Sequence, residues 1–249
     1  MRALVSIDDT DNIDSRGTGE LASMIEKAME ERGWGKGYGV TRHQLYIHED
    51  IPYTSHNSSM CFAADIEETY LNQLTDYATA FLSHESAEGS DPGLCIVLPD
   101  RLEKPELLIN FGYKAKQAII TKQEAYELAH QLGIHLSEHG GTGLGVIGAL
   151  AGTGLRMEGN DGRYRGKLKI KSESGVASVG DIRAQTRVQV VKTLDGIVLG
   201  DEEKICLGGE WVKDVMLESK SVLLVYPTDK GFSEEVRWQT CTKQQLRKY

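Results

Sequence analysis

Three aspartates lie within four positions, directly after the first apolar segment of the chain. Residues 6–19 read SIDDTDNIDSRGTG, and Asp8, Asp9 and Asp11 follow the apolar residues 3–5. Carboxylates this close repel one another, so at neutral pH they need a cation or hydrogen-bond donors nearby. The cluster therefore predicts either a Mg²⁺ site, because Mg²⁺ takes carboxylate and phosphate oxygens, or an acidic turn in which Asp and Asn side chains bond nearby amides.

The composition is that of an ordinary globular protein. The chain has 249 residues, of which 40% are hydrophobic and 26% are charged, and this length suits one large domain or two to three small ones. No apolar run approaches the length of a membrane span, and the N-terminus lacks the apolar stretch of a signal peptide. We therefore expect a cytoplasmic protein with no membrane partner.

The cysteines and the net charge narrow the function further. No two cysteines have CxxC spacing, which excludes a zinc ribbon and predicts reduced core residues at Cys61, Cys95, Cys206 and Cys241. The net charge of −9 argues against RNA binding by this chain alone, because such proteins usually present a basic face. A local basic patch is still compatible with an acidic total.

Hydrophobic periodicity predicts an α+β fold. The expected strands are residues 2–7, 40–48, 60–66 and 93–98, and the expected helices are residues 19–32, 67–83 and 122 to about 135. A glycine-rich loop is expected at residues 33–39. Thr121 and Glu124 have the spacing of a capping box, which opens the third helix.

The same pattern divides the chain into three parts. The β-α-β pattern at residues 59–111 indicates a ferredoxin-like α/β domain inserted after the first strands. Beyond about residue 160 short strands predominate, with a turn at Asp195-Gly196, which predicts a small β-rich module at residues 158–249. The remaining segments, 1–58 and 112–157, carry the other motifs.

A glycine-rich run, HGGTGLGVIGALAG at residues 139–152, leads into an apolar helix. Glycine lets backbone approach a ligand closely, and a helix N-terminus directs free amides at anions. We interpret the run as a phosphate-binding loop formed by Gly141, Thr142, Gly143, Gly145 and Gly148. The alternative is a tight turn with close helix packing at Gly148 and Gly152. A GxGxxG match is present, but a helix is expected before it, which disfavours a dinucleotide fold.

Other polar residues keep more than one interpretation. Thr18, between two glycines, could cap the helix, contact a phosphate or accept a phosphoryl group. Arg42 is a phosphate clamp or a surface charge on a strand. His135 and His139 have a zinc-compatible spacing on one helix face, but no third ligand is evident.

The motifs, in their order, resemble the archaeal tRNA(Ile) agmatidine synthetase (TiaS) family. The shared features are IDDTD after the first strand, an arginine followed by IPY and an asparagine, and GxGVIGALAGTG, over about residues 1–155. The resemblance implies a kinase domain at residues 1–58 and 112–157. In the family this domain uses ATP to phosphorylate a tRNA cytidine, and agmatine then displaces the phosphate. An embedded ferredoxin-like domain is implied as well.

The resemblance also implies roles for single residues. Asp8, Asp9 and Asp11 match the family's acidic Mg²⁺-ATP motif, and Thr18 lies near its phosphorylatable threonine; these four are the predicted catalytic residues. ATP contacts are implied for Arg42, Asn57, Gly143, Gly145 and Gly148. The chain departs from the family after residue 158, where it has neither a zinc ribbon nor a recognisable OB-fold. We therefore expect a stand-alone relative of the kinase and ferredoxin-like parts.

Three functions remain open. The leading prediction is ATP- and Mg²⁺-dependent phosphoryl transfer, by a phosphotransferase or ligase, to tRNA or to a small-molecule acceptor. The second is a nucleotide-binding or regulatory module that acts with a protein partner; a homo-oligomer is also compatible with the sequence. The third is a tRNA-modifying enzyme with a reduced RNA platform. Its basic stripe would be Arg163, Arg165, Lys167, Lys169 and Lys171, and the last four alternate as on one face of a strand.

Overall fold

The chain divides into two compact units, unit 1 (Met1–Glu158) and unit 2 (Gly159–Tyr249). The structure is a computed structural model, and it describes residues 1–52, 56–172, 174–209, 212–228, 236–247 and 249. In the described residues no helix is long and apolar enough to cross a membrane. All four cysteines are buried, as predicted for core residues.

Unit 1 contains five helices and five strands among the described residues. Its first six elements are β1 (Arg2–Asp8), α1 (Thr18–Glu31), β2 (Gly35–Gln44), β3 (Ser58–Ile66), α2 (Leu71–Glu85) and β4 (Gly93–Val97). They are followed by α3 (Pro105–Ala115), α4 (Lys122–Leu132), β5 (His135–Glu138) and α5 (Gly145–Glu158). The α+β prediction is confirmed, whereas α3 was not predicted from the sequence.

The five strands form an antiparallel sheet in the order β5-β4-β1-β3-β2. A β-α-β-β-α-β chain whose strands are ordered β4-β1-β3-β2 has the ferredoxin-like arrangement. The predicted insertion of a ferredoxin-like domain at residues 59–111 is therefore wrong. That segment supplies β3 and β4, which flank β1 on both sides, so the ferredoxin-like arrangement begins at β1 and shares one sheet with it.

Alternation along β1 gives each face of the sheet its own core. Ala3, Val5 and Ile7 are buried with residues of α1 and α2 on one face. Leu4 is buried on the opposite face, in a cluster with residues of α3 and α5. The sheet is thus covered on both sides by helices, and polar residues of β1 on the α5 face lie beneath that helix.

Helices α3 and α5 approach closely because glycine occupies their contact. A Cβ on Gly154 would lie 2.2 Å from the backbone oxygen of Leu108. A Cβ on Gly112 would lie 3.0 Å from the backbone oxygen of Ala151. The spacing at Gly154 leaves no room for a methyl group and that at Gly112 is tight, so the two glycines allow the close approach of the helices.

Two boundaries differ from the sequence prediction. The predicted loop at residues 33–39 is wrong, because β2 begins at Gly35. A Cβ on Gly37 would lie 2.3 Å from a carboxylate oxygen of Glu26, so this glycine lets α1 pass close to β2. The predicted helix to about His135 is also too long. The capping box of α4 is confirmed, but Gly133 takes a left-handed φ of 65° and ends the helix.

Unit 2 is a mixed β structure with one helix among its described residues. Its elements are β6 (Arg163–Tyr164), β7 (Val176–Ser178), α6 (Val179–Gln185), β8 (Val190–Thr193), β9 (Lys204–Cys206), β10 (Val215–Leu217), β11 (Lys220–Pro227) and β12 (Trp238–Thr240). The strand order is β6-β10-β11-β12-β9-β7, and β8 pairs in parallel with β11. Residues 165–172 form no strand, so the predicted strand face along the basic stripe is wrong.

We expect Gly154→Ala to destabilise the protein by about 1–2 kcal/mol, because overpacking a close helix contact costs about 1–3 kcal/mol. The helix propensity of alanine returns at most about 1 kcal/mol of that cost. Equilibrium urea unfolding checks the value. Gly200→Ala is the control, since no atom lies within 4 Å of its Cβ position; equal stability of Gly154→Ala and wild type would contradict the close contact.

Candidate functional site

The chain leaves β1 through a residue with unusual backbone geometry. Asp8 is the last residue of β1, and Asp9 follows with a left-handed φ of 51°. This conformation is uncommon for residues other than glycine, although aspartate tolerates it. Backbone of this kind persists where the surrounding structure holds it, and it is frequent at functional sites.

Helix α5 lies directly on the Asp8 carboxyl group. Glycine at residue 148 leaves room for this carboxyl group in its present position, because a Cβ there would lie 1.6 Å from Oδ2 of Asp8. One turn further on, a Cβ on Gly152 would lie 2.5 Å from the Ser6 hydroxyl oxygen. The glycine spacing of α5 therefore lets the helix approach the polar end of β1. This matches the close helix packing that the sequence left open for Gly148 and Gly152.

Burial perturbs the two carboxyl groups at the strand end. Burial raises the pKa of Asp8 to about 8, and the charge of Asp9 adds to this effect. Burial also raises the pKa of Asp9 to about 6, with further contributions from the charges of Asp91 and Asp11. Such a cluster favours the binding of a cation, because a positive charge would stabilise the ionised forms.

Thr18 is buried and bonds to the loop after β1. Its hydroxyl donates to Oδ1 of Asp11 at 2.8 Å and accepts from the Thr10 hydroxyl at 3.1 Å. The capping role considered for Thr18 is wrong, because Gly17 is the N-cap of α1 and no side chain caps this helix. The Thr18 hydroxyl therefore already directs its proton at a carboxylate.

These residues converge on one cavity of about 280 Å³ in unit 1. Polar groups from distant segments line it: Asp8, Asp9, Asp11, Thr18, Arg42 and Asn57, all of which the sequence singled out. Sequence reasoning missed the apolar part of the lining, which includes Leu45, Ile119, Ile120, Leu144 and Ile147. A cavity that combines apolar walls with a few convergent polar groups is typical of small-molecule sites.

Arg42 and Asn57 reach the cavity from β2 and from the segment before β3. The Arg42 guanidinium donates from Nε to the Ser58 hydroxyl at 2.9 Å. The Asn57 side-chain amide donates to the Tyr46 backbone oxygen at 2.6 Å, which ties the residue before β3 to the segment just after β2. Of the IPY motif, Ile51 and Pro52 also line the cavity, and its tyrosine lies outside the described residues.

The glycine run divides into two parts with different surroundings. Gly145 and Gly148 line the cavity, whereas Gly141, Thr142 and Gly143 do not. The backbone amide and the hydroxyl of Thr142 both donate to the Asp91 carboxylate, the hydroxyl at 2.5 Å. The predicted phosphate contacts at residues 141–143 are thus not at the cavity. This loop instead binds a carboxylate of the protein.

Asp91 was missed from the sequence and connects the two motifs. Its backbone amide bonds to the Asp9 carboxylate, and its backbone oxygen accepts from Gly145 at 3.1 Å. Asp91 lies just before β4, and β4 pairs with β1 so that Gly93 is opposite Asp8. Only the strand order brings this residue to the site, so a linear motif could not reveal it.

The α5 N-terminus does not offer the free amides that the sequence predicted. Gly145, Val146 and Ile147 donate to the backbone oxygens of Asp91, Gly143 and Leu144, at 3.1, 3.4 and 3.1 Å. Helix α1 is different. Its first two amides, of Thr18 and Gly19, have no acceptor within the helix, and Gly17, Thr18 and Gly19 line the cavity. The available helix N-terminus is therefore that of α1.

A complete metal centre is absent from the described residues: no three His, Cys, Asp or Glu side chains there form a metal-binding group. The predicted three-aspartate set is thus not assembled as a cage, and the Asp11 carboxylate is engaged by Thr18. The zinc-compatible spacing noted for His135 and His139 does not place them on one helix face, because His135 begins strand β5 and His139 follows that strand. Both imidazoles contact the Ser137 hydroxyl, at 3.0 and 2.9 Å.

The fold is α+β, its cavity is lined by acidic and apolar residues, and known proteins are similar to part of the chain. No family model matches the chain. A curated relative, the tRNA 2-agmatinylcytidine synthetase TiaS of Pyrococcus horikoshii, is 27% identical over 157 residues, which are 61% of this chain and 35% of the relative. The chain thus spans about a third of that protein.

Solved structures also show similarity to tRNA-modifying proteins of this kind over the same part of the chain. The structure of a tRNA fluorescent labeling enzyme is similar with a TM-score of 0.53 at 28% identity, over 62% of this chain and 36% of that chain. The structure of TiaS in complex with its tRNA and ATP is similar with a TM-score of 0.53 at 27% identity, over the same shares. The chain is therefore a TiaS-like relative over this part of its length, which confirms the resemblance seen in the motifs.

We compare the unfolding free energy of Asp8→Asn with that of wild type in the metal-free protein. We expect this difference to shift in favour of the variant by on the order of 1–2 kcal/mol when the pH rises from about 6 to about 8. The Asp8 pKa of about 8 is above the ordinary value of 3.8, so the native state holds a proton that the unfolded state releases. Wild-type stability from this group is present at acidic pH and is lost as the pH rises through 8. Asparagine does not titrate and avoids that loss.

Urea unfolding in EDTA at several pH values measures this difference. Asp14→Asn is the matched control, because Asp14 is exposed in the same loop and does not line the cavity. Two results would contradict the burial of an ionisable Asp8. One is an Asp8→Asn variant less stable than wild type at about pH 8, and the other is a stability difference between the two proteins that does not change with pH.

Proposed function

We propose that the protein is an ATP- and Mg²⁺-dependent phosphoryl-transfer enzyme whose nucleotide binds in the cavity of unit 1. One observation carries the proposal. Three acidic residues, an arginine, an asparagine and the N-terminus of α1 come from segments far apart in sequence and line the same cavity. The relatives support it, because TiaS structures contain ATP in one complex and AMPCPP with agmatine in another.

The donor set of the site fits Mg²⁺. Asp8 and Asp9 provide carboxylate oxygens at the cavity, and Mg²⁺ is usually held by one or two carboxylates together with phosphate oxygens. When bound there, Mg²⁺ would neutralise phosphate charge as phosphoryl transfer proceeds. Because no three-carboxylate group is assembled among the described residues, the nucleotide itself would complete the coordination.

The phosphates would meet two positive features of unit 1. The first is the N-terminus of α1, a 14-residue helix, where the amides of Thr18 and Gly19 and the helix dipole favour an anion. The second is the guanidinium group of Arg42, whose charge is suited to phosphate. The sequence had indicated the N-terminus of α5 as the phosphate-binding helix end. We assign this role to α1 instead, because the first amides of α5 are bonded within the protein.

In the reaction, the bond between the γ-phosphorus and the β,γ-bridging oxygen breaks and ADP leaves. A new bond forms between that phosphorus and an acceptor oxygen, whose proton passes to a base. The Thr18 hydroxyl is one acceptor within the chain, since its proton is directed at Asp11, 2.8 Å away. A tRNA or a small molecule would then receive the group or react in a later step.

We expect Asp9→Asn to weaken binding of ATP in the presence of Mg²⁺ at least tenfold, because the carboxylate proposed to hold the cation is lost. Isothermal titration calorimetry, with and without Mg²⁺, measures this. The control is Asp14→Asn, which removes the same charge from an exposed part of the same loop. Failure of the wild-type protein to bind any nucleotide would overturn the proposal, as would equal losses in the two variants.

We expect Thr18→Val to abolish transfer of label from γ-³²P-ATP to the protein, while ATP binding stays within a few-fold of wild type. Thr18→Ser keeps the hydroxyl and should retain labelling. Autoradiography after a Mg²⁺-dependent incubation gives the result. Undiminished labelling of the valine variant would exclude Thr18 as the acceptor. Turnover of ATP without any labelling would point to an external acceptor, and binding without turnover would favour the regulatory module.

A further inference from the structure

The two units have opposite net charges. Unit 2 carries 16 Lys and Arg residues against 13 Asp and Glu residues, a net charge of +3, which leaves −12 for unit 1 within the total of −9. The acidic total thus conceals a basic unit. A net charge for the whole chain is a poor guide to polyanion binding when the charges are segregated in this way.

Much of the positive charge of unit 2 is concentrated in one segment. Residues 163–171 read RYRGKLKIK, with five basic residues and no acidic one. Lys167, Lys169 and Lys171 are exposed, while Leu168 is buried and Ile170 packs against the same core. The alternation predicted from the sequence therefore exists, although the residues after Tyr164 are not part of a strand.

The backbone of this segment is anchored to the body of unit 2. The Leu168 amide donates to the Val212 backbone oxygen at 2.9 Å, and the Lys171 amide donates to the Gln185 side chain at 2.9 Å. The exposed lysines thus project from a backbone that is held in place. A basic segment with an anchored backbone loses less conformational freedom on binding a polyanion than a disordered basic tail would.

Further basic groups lie beside the segment. The Lys213 ammonium is half-buried, and burial together with the charges of Arg163, Arg187 and Arg165 lowers its pKa. Asp214 also acts on Lys213, but its carboxylate already accepts from Arg187 at 2.6 and 2.8 Å and from Ser221 at 2.7 Å. Three arginines thus act on the Lys213 ammonium together, and a bound anion would reduce the repulsion among these cations.

We propose that the basic stripe, within residues 163–171, binds the phosphate backbone of RNA together with Lys213. The inference rests on the proposed function and deepens it, because it makes RNA the class of acceptor on which the enzyme acts. An anionic membrane suits the stripe less well. Membrane-binding segments expose large apolar side chains beside their basic ones, whereas Leu168 and Tyr164 are buried here.

The number of basic groups sets the size of the expected effect. Contacts of this kind bind without base specificity, with dissociation constants of about 10⁻⁴–10⁻⁶ M at physiological salt. Removal of one phosphate contact should reduce the slope of log K against log salt by about 0.7–0.9. The removal of two lysines should therefore reduce the slope by about 1.5 and weaken binding at low salt about tenfold.

The test measures binding of unfractionated tRNA to the full-length chain over a range of salt concentrations. The variant is Lys169→Ala with Lys171→Ala, and the matched control is Lys27→Ala with Lys36→Ala, which removes two exposed lysines from unit 1. Circular dichroism checks that each variant is folded. We expect a weaker and less salt-dependent interaction for the unit 2 variant and wild-type binding for the control.

Three results would overturn the basic stripe: no tRNA binding by the wild type at low salt, equal losses in the two variants, or binding only to phosphatidylserine vesicles. ATP binding by the same proteins is measured in parallel. Equal weakening of tRNA binding in both variants, with intact ATP binding, would reject the basic stripe alone. Absence of ATP binding with intact, lysine-dependent tRNA binding would reject the proposed function and leave the stripe standing.

Discussion

The contact between Gly148 and the Asp8 carboxyl group is the constraint on which the candidate site depends. The space that a Cβ would occupy at residue 148 holds Oδ2 of Asp8, so a larger side chain would displace either the helix or the carboxyl group. The same contact helps to remove Asp8 from water and so raises its pKa. Close packing of α5 thus keeps Asp8 protonated near neutral pH unless a cation at the end of β1 stabilises its ionised form.

The strand order extends this constraint to the rest of the site. Because β4 lies beside β1, the residue before β4 reaches the loop after β1, and Asp91 bonds to both Asp9 and the start of α5. The left-handed glycines of the 141–143 loop allow the chain to turn around the Asp91 carboxylate. The first part of the glycine run therefore has a structural role, because it fixes the start of α5 beside Asp91.

The sequence predicted the parts of the site that depend on residue type and local spacing. Asp8, Thr18 and Arg42 were singled out because carboxylates, hydroxyls and guanidinium groups in such motifs favour nucleotide chemistry, and they do line one cavity. Asp91 and the α1 N-terminus were missed, because sheet pairing and the bonding of helix amides are not visible in a linear pattern.

The ferredoxin-like order was placed too late in the chain for the same reason: β1 pairs with strands far from it in sequence. The boundary errors have local causes, since β5 has only four residues, too few to stand out from the helical pattern before it.

Net charge hides an electrostatic difference between the two units. An acidic cavity repels a nucleotide triphosphate unless a divalent cation and positive dipoles offset the repulsion, which is why the cation, the α1 N-terminus and Arg42 would have to act together. An RNA would face the same repulsion from unit 1, whose net charge is −12. Unit 2, with its net charge of +3, would supply part of the attraction for a polyanion that unit 1 lacks.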